Sequence, residues 1–245
     1  MIGVYKILVS LILWPLWPLW PLWLAYFVIA MSVFLIYMTF FPRKYYHYYV
    51  RPMCWFFCLF GGQWLKMDGR VPPPQNGPYL YMMNHGSLFD LFAVFFYMKH
   101  YVTAVGAIER FRWPIWGAVG RKYGIVPIQR SNIEKAVHGL ENVENAVRKG
   151  ISFLIAPEGT RTRTGKLGQF KKGPFHLLKN AAVPIVPIGI IGAFGAKRKN
   201  DWRLKPGILT TRFGDVISHD EYDNMSVGEL RDYVRGKIKE LIEKY

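Results

Sequence analysis

The chain has little cysteine and few acidic residues, and one long stretch carries no charge at all. Only Cys54 and Cys58 occur among 245 residues. Two thiols one helical turn apart in an aromatic segment read as packing or lipid-facing residues rather than a disulfide or metal pair. No disulfide framework exists, so nothing points to an oxidising compartment. Acidic residues number 16 against 32 lysines and arginines, a formal charge of +16. That excess suits a polyanionic partner, either nucleic acid or an anionic lipid surface. No nucleic-acid-binding signature accompanies it, and most aromatics lie in or near the apolar region, so the membrane is the favoured partner and nucleic acid is not expected.

From Ile7 to Phe41 there is no Asp, Glu, Lys or Arg. This run far exceeds the roughly 7–15 residues of a signal-peptide core, and no small-residue cleavage site ends it. As one helix it would reach about 50 Å, beyond the ~30 Å hydrocarbon core. The repeat Trp14-Pro15-Leu16-Trp17-Pro18-Leu19-Trp20-Pro21-Leu22-Trp23 predicts a break around residues 14–22, because each proline disfavours α geometry at the residue before it. A helix from Leu22 to Phe41 should follow, flanked by Arg43, Lys44 and a tyrosine cluster at headgroup depth, with positive charge favouring the cytoplasmic side. Pro52 to Phe60 is too short to cross and is expected to lie in the interface. One span and a re-entrant hairpin both fit. Residues 1–62 are therefore read as a membrane anchor and 63–245 as the body.

The body alternates short apolar runs with amphipathic segments. Strands are expected at Tyr79–Met83, Tyr101–Val105, Ile125–Ile128, Ile151–Ala156, Ile185–Ile190 and Ile208–Phe213. Helices are expected at Ser87–Tyr97, Glu109–Tyr123 with an interruption near Pro114, Glu134–Arg148 capped by Asn132, Pro174–Asn180, and Ser226–Lys244 opened by a capping box. The pattern implies an α/β fold: a mixed, largely parallel sheet flanked by helices, with an N-terminal helical membrane anchor.

In Asn84-His85-Gly86-Ser87-Leu88-Phe89-Asp90, a histidine stands where a strand gives way to a helix. Asp90, a turn later, is close enough to accept from one ring nitrogen and leave the other free to take a proton. Such a pair is either structural or a base awaiting a nucleophile. The chain contains no Gly-x-Ser-x-Gly elbow, and both cysteines lie in the anchor, so a base here would act on a bound hydroxyl. No third residue is placed nearby to complete a metal site. A second segment, Ala156-Pro157-Glu158-Gly159-Thr160-Arg161, follows a buried strand. Its glycine allows close backbone approach and its arginine offers a fork suited to phosphate. Arg163, Lys166, Lys171 and Lys172 add charge downstream. The segment is either a solvated basic loop or an anion site, and the strand leading into it favours the latter.

These two motifs, roughly seventy residues apart, resemble the glycerolipid acyltransferase family. Two further segments match in order: Glu109 to Gly117, continuing to Gly124 and Arg130, and Val183-Pro184-Ile185-Val186-Pro187-Ile188. Lys171-Lys172-Gly173 also fits the basic element after the third motif. The likeness covers about residues 63–215. It implies acyl transfer from acyl-CoA or acyl-carrier protein to a lysophospholipid hydroxyl, lysophosphatidic acid first among them, with phosphatidic acid as product. Neither a metal nor a further cofactor is implied. Another lysophospholipid, glycerol-3-phosphate or a lyso-aminolipid are the neighbouring acceptors, and an inactive lipid-binding scaffold is the reading from another class. By resemblance His85 is the general base and Asp90 its orienting partner. Glu158, Gly159, Thr160 and Arg161 hold the acceptor phosphate, Arg130 or Lys171 assists, and Pro184 shapes a substrate pocket. The active site would face the cytoplasm from a membrane, the inner membrane if bacterial. Two departures stand out: Gly106-Ala107-Ile108 where the family often carries a lysine, and Ala156 where it usually has an aromatic.

Overall fold

The computed structural model describes residues 20–201 and 203–243. The expected break at residues 14–22 falls mostly outside them. Helix α1 (Trp20–Phe40) starts with Pro21 in its first turn, where the missing N–H has no helical partner to lose. Its Pro21–Phe40 stretch is long and apolar enough to cross a membrane, with mean hydropathy 2.0. Leu22, Val28, Ile29, Val33, Ile36 and Phe40 point outward and are exposed. Helix α2 (Tyr46–Phe60) begins six residues before Pro52, earlier than the sequence suggested. It carries Tyr46, Val50, Met53, Cys54, Phe57 and Cys58 on a buried face. Both thiols are free and buried as packing groups.

The two helices are stitched together. The Trp23 indole donates to the Phe57 carbonyl at 3.0 Å, and the Tyr49 hydroxyl donates to Ala30 O at 2.8 Å. Phe34 stacks on Tyr49 with ring centroids 4.9 Å apart.

Seven strands form one sheet: β1 (Gln63–Asp68), β2 (Leu80–Met83), β3 (Val102–Ala107), β4 (Val126–Ile128), β5 (Ser152–Ile155), β6 (Ile185–Ile191) and β7 (Gly207–Phe213). Their order is β1-β7-β6-β2-β5-β3-β4. All neighbours run parallel except β6 and β7. The fold is thus α/β, with a mixed, mostly parallel sheet flanked by helices. Strand β1 was not expected. It is an edge strand, and its register with β7 (Gln63 opposite Gly207) is supplied by residues far away in the chain.

Side chains alternate between the two faces of the sheet. Tyr81, Met83, Leu154, Val186, Ile188 and Ile190 join the cluster built by α1, α2, α3 (Phe89–Tyr97) and α4 (Pro114–Tyr123). Leu80, Met82, Phe153, Ile155 and Ile185 face α5 (Ile133–Arg148), α6 (Gly173–Ala181) and α9 (Val227–Glu243). The N-terminal helices therefore share one apolar cluster with α3 and α4. Phe57 of α2 stacks on Phe92 of α3 with centroids 3.9 Å apart. Burying a side chain of that size contributes about 1.5–3 kcal/mol.

The expected caps are present. Asn132 Oδ1 accepts from Lys135 N at 2.9 Å, and Ser226 and Glu229 exchange reciprocal bonds of 3.3 and 2.8 Å. Two short helices went unforeseen, α7 (Ala193–Ala196) and α8 (His219–Tyr222). Helix α3 starts at Phe89 rather than Ser87, because the Gly86 and Ser87 N–H groups turn toward the Asp90 carboxylate.

Candidate active site

The carboxyl ends of parallel strands gather loops at one edge of a sheet. Here β2 leads into His85, β3 into the Ile108–Arg112 turn, β4 into Arg130, β5 into Pro157–Arg161 and β6 into α7. Each motif picked out in the sequence, the fourth excepted, opens on that edge.

His85 Nδ1 lies 2.7 Å from Asp90 Oδ2. The same oxygen accepts from Gly86 N at 2.7 Å and Ser87 N at 2.8 Å. Asp90 is fully buried, whereas the His85 side chain keeps 23% of its surface. Three donors converging on one oxygen hold the carboxylate in a single orientation. With Nδ1 carrying the proton given to Asp90, the His85 Nε2 lone pair is left toward the open side.

Neighbouring loops fix the backbone around His85. His85 N donates to Glu158 Oε1 at 2.7 Å, and Thr162 N donates to His85 O at 2.8 Å. Glu158 Oε2 accepts from Gly168 N at 2.9 Å. Asn84 closes β2 onto β6, donating to Ile190 O at 2.9 Å and accepting from Ile190 N at 2.7 Å. Ser87 Oγ donates to Lys197 O at 3.0 Å. Glu158 was expected among the phosphate ligands. Instead it is buried, with both oxygens committed to backbone N–H groups, and a carboxylate repels phosphate in any case. Burial raises its pKa, against the pull of the His85 and Gly168 N–H groups.

Gly159 follows with φ of +73°, a left-handed conformation that favours glycine. The Lys171 side chain passes beside it, its Cγ 3.7 Å from where a Cβ on Gly159 would stand, while Lys171 N donates to Pro157 O at 2.8 Å. Thr160 accepts from Lys199 Nζ at 2.9 Å. Arg161 forms no ion pair among the described residues. Its pKa is lowered by burial and then by the nearby Arg110 cation. Burial also lowers Arg130, which feels Glu109 and the same Arg110. Lys197 is lowered by burial and by Arg161. Burial leads in all three, and neighbouring cations add to it, while Asp90, Glu109 and Asp201 pull Arg161, Arg130 and Lys197 the other way.

Pro184 does not join them. It precedes β6, and its carbonyl accepts from Leu80 N at 3.0 Å, at the amino end of the sheet and away from His85. The Val-Pro-Ile pattern locates a strand but does not say which of its ends faces the site.

Two residues escaped sequence reading. Arg110, in the turn after β3, sits over the Trp113 ring at 4.4 Å. Arg235 of α9 donates to Gly168 O at 2.9 Å and Leu167 O at 3.0 Å, bracing the loop whose N–H binds Glu158. A wholly apolar cavity, also unforeseen, lies among Met31, Phe34, Leu91, Phe92, Phe95 and Trp116, between α1 and the body.

The carboxyl edge of this α/β sheet thus carries a partly exposed histidine held by a buried aspartate, next to a glycine-containing loop rich in arginine and lysine. The profile of the Acyltransferase family matches residues 65–191, just over half the chain. The chain belongs to that family.

A 1-acyl-sn-glycerol-3-phosphate acyltransferase of Cocos nucifera is 32% identical over 156 residues, covering 63% of this chain and 51% of that one. One of Salmonella typhimurium is 29% identical over 187 residues, covering 75% and 74%. This chain spans about half the length of the plant relatives it matches. The crystal structure of the 1-acyl-sn-glycerophosphate acyltransferase of Thermotoga maritima superposes with a TM-score of 0.76 at 21% identity, covering 98% of this chain and 95% of that one. That likeness speaks for the fold alone.

Proposed function

We propose that the chain transfers a fatty acyl group from acyl-CoA or acyl-carrier protein to the free hydroxyl of lysophosphatidic acid, forming phosphatidic acid at a membrane surface. The observation that carries this reading is the His85 ring, held through Nδ1 by a buried carboxylate with Nε2 left for a substrate proton. The names borne by the coconut and Salmonella relatives supply the acceptor.

His85 Nε2 takes the acceptor hydroxyl proton as the oxygen attacks the thioester carbonyl. The carbon–sulfur bond then breaks, and the leaving thiolate receives that proton from His85. Asp90 orients the ring and stabilises its protonated form. Gly159, Thr160 and Arg161 hold the acceptor phosphate, with Arg130, Lys171 and the neighbouring Arg110 adding charge. Glu158 serves by clamping the His85 backbone rather than by touching phosphate, and Pro184 has no part in the site.

Residues 1–62 act as the membrane anchor and 63–245 as the acyltransferase domain, with the site on the cytoplasmic side. The exposed apolar face of α1, followed by Arg43 and Lys44, supports that placement. The test is a mass-spectrometric assay of purified protein with labelled palmitoyl donors and a panel of acceptors. Lysophosphatidic acid should yield labelled phosphatidic acid fastest. Faster acylation of glycerol-3-phosphate, a lyso-aminolipid or another lysophospholipid would reassign the acceptor, and lipid binding without acylation of any of them would leave a scaffold.

A further inference from the structure

A second charged feature lies beside the site, unused by the acceptor. The segment after β6 folds back on itself, Lys197 Nζ donating to the carbonyls of Arg198 and Asp201. With Arg163 from the loop after β5 it borders a cleft of about 520 Å³ lined by Arg163, Arg198, Lys199, Asn200, Asp201 and Arg203. Asp201 is the sole acid in that lining, and both its oxygens go to Arg203, at 2.9 and 3.0 Å. Arg163, Arg198 and Lys199 have no carboxylate partner among the described residues. Arg198 rests over the Phe194 ring at 5.2 Å.

Phe194 is wedged between two glycines. A Cβ on Gly86 would stand 3.3 Å from Phe194 N, and one on Gly165 would stand 2.8 Å from its ring. Lys199 reaches Thr160 and the Lys197 carbonyl holds Ser87. The cleft is therefore built onto the two loops that hold His85 and Arg161.

From this juxtaposition we infer that the Arg163–Arg198–Lys199 cleft binds the diphosphate and 3′-phosphate of a coenzyme A thioester, making the acyl donor a CoA ester. The inference deepens the function proposed above and rests on it. Three cations without carboxylate partners among the described residues suit a ligand carrying several phosphates, whereas the acceptor has one, met by Arg161. Two of the three are guanidinium forks, the geometry that grips phosphate through paired bonds. The uncharged pantetheine arm would then run from the cleft toward His85, delivering the thioester to the hydroxyl under attack. A carrier-protein donor offers a single phosphodiester and leaves most of this charge unmatched.

The test uses the full chain in nanodiscs, comparing the native protein with Arg163→Gln, Arg198→Gln and the double variant. Palmitoyl-CoA and phosphate-free palmitoyl-pantetheine are varied at saturating lysophosphatidic acid. Losing a charged contact to phosphate should raise KM for palmitoyl-CoA about tenfold per arginine. KM for palmitoyl-pantetheine should change by under about twofold, and Arg198→Lys should recover part of the loss. Free 3′,5′-ADP should compete with palmitoyl-CoA on the native chain and lose that effect on the double variant. Equal KM changes for both donors, or an unchanged KM for palmitoyl-CoA, would each overturn the inference. If the native chain acylates nothing, the functional reading falls. Calorimetric titration with 3′,5′-ADP then still decides the cleft, with binding to the native chain and not to the double variant as the expected result.

Discussion

Replacing Asp90 with asparagine separates the charge of this residue from its geometry. All three donors, His85 Nδ1, Gly86 N and Ser87 N, reach the same oxygen, Oδ2. An asparagine placing its carbonyl there keeps the loop and the ring tautomer. Its amide nitrogen then occupies the position of Oδ1, a buried atom with no hydrogen-bond partner. Stranding that nitrogen costs about 1–3 kcal/mol, and three charged bonds become weaker neutral ones. Removing a buried charge offsets part of this, leaving a net loss of roughly 2 kcal/mol.

Catalysis suffers more. A positive ring and a carboxylate with charge centres about 4 Å apart attract by ~4 kcal/mol at an effective dielectric constant near 20. Half-developed charge in the transition state would forfeit about 2 kcal/mol and full charge about 4, so kcat should fall by roughly 30- to 1000-fold. Asp90→Ala also frees the ring and leaves Gly86 N and Ser87 N unpaired, so it should lose more of both stability and rate. The assay is kcat at saturating donor and acceptor, with thermal unfolding of each variant in the same nanodiscs. An asparagine variant that turns over at the native rate would refute the charge argument. One that unfolds as readily as the alanine variant would refute the geometric one.

Glu158→Gln should destabilise the chain by about 2–3 kcal/mol, because one end of the amide must point a donor at the N–H of His85 or Gly168. Burial raises the Glu158 pKa, so between its ordinary and raised values the folded chain binds the proton more tightly than the unfolded one. Stability from this group therefore increases as pH falls through that window. The native chain should gain on the non-titrating glutamine variant as pH drops from neutral, and a narrowing gap in melting temperature would contradict the assignment. Arg235→Met removes both bonds to the 167–168 loop and should lower kcat severalfold at unchanged KM, with lysine restoring part of it; an unaltered kcat would show that the brace does not reach His85. Arg161→Ala should raise the acceptor KM at least about tenfold with phosphate-bearing acceptors, and equal losses with phosphate-free acceptors would remove its phosphate role.

Much of this was written locally in the chain. The His85–Asp90 contact follows from five residues of spacing across a strand end and a first helical turn. The caps at Asn132 and Ser226 announce their helices in the same way. What stayed hidden depends on distant partners. Strand β1 has no apolar run, because an edge strand is half wet and its pairing is set by β7, far along the chain. Glu158 looks like a ligand-facing carboxylate among cations until the fold brings two backbone N–H groups to it, one of them from His85. Arg235 reads as one more surface cation on an amphipathic helix. Its role exists only because α9 passes under the 167–168 loop. Arg198 and Lys199 look like a solvated basic turn, and only Phe194 and Thr160 tie that turn to the active site.

The most direct test of the whole account is acyl transfer by His85→Ala, purified beside the native chain and matched to it by thermal unfolding. Given labelled palmitoyl donor and lysophosphatidic acid, the native chain should form labelled phosphatidic acid one for one with acceptor consumed. The alanine variant should form none above the uncatalysed rate while still binding the acceptor. Transfer by His85→Ala at the native rate would contradict the account, because no base would then stand where the structure holds one.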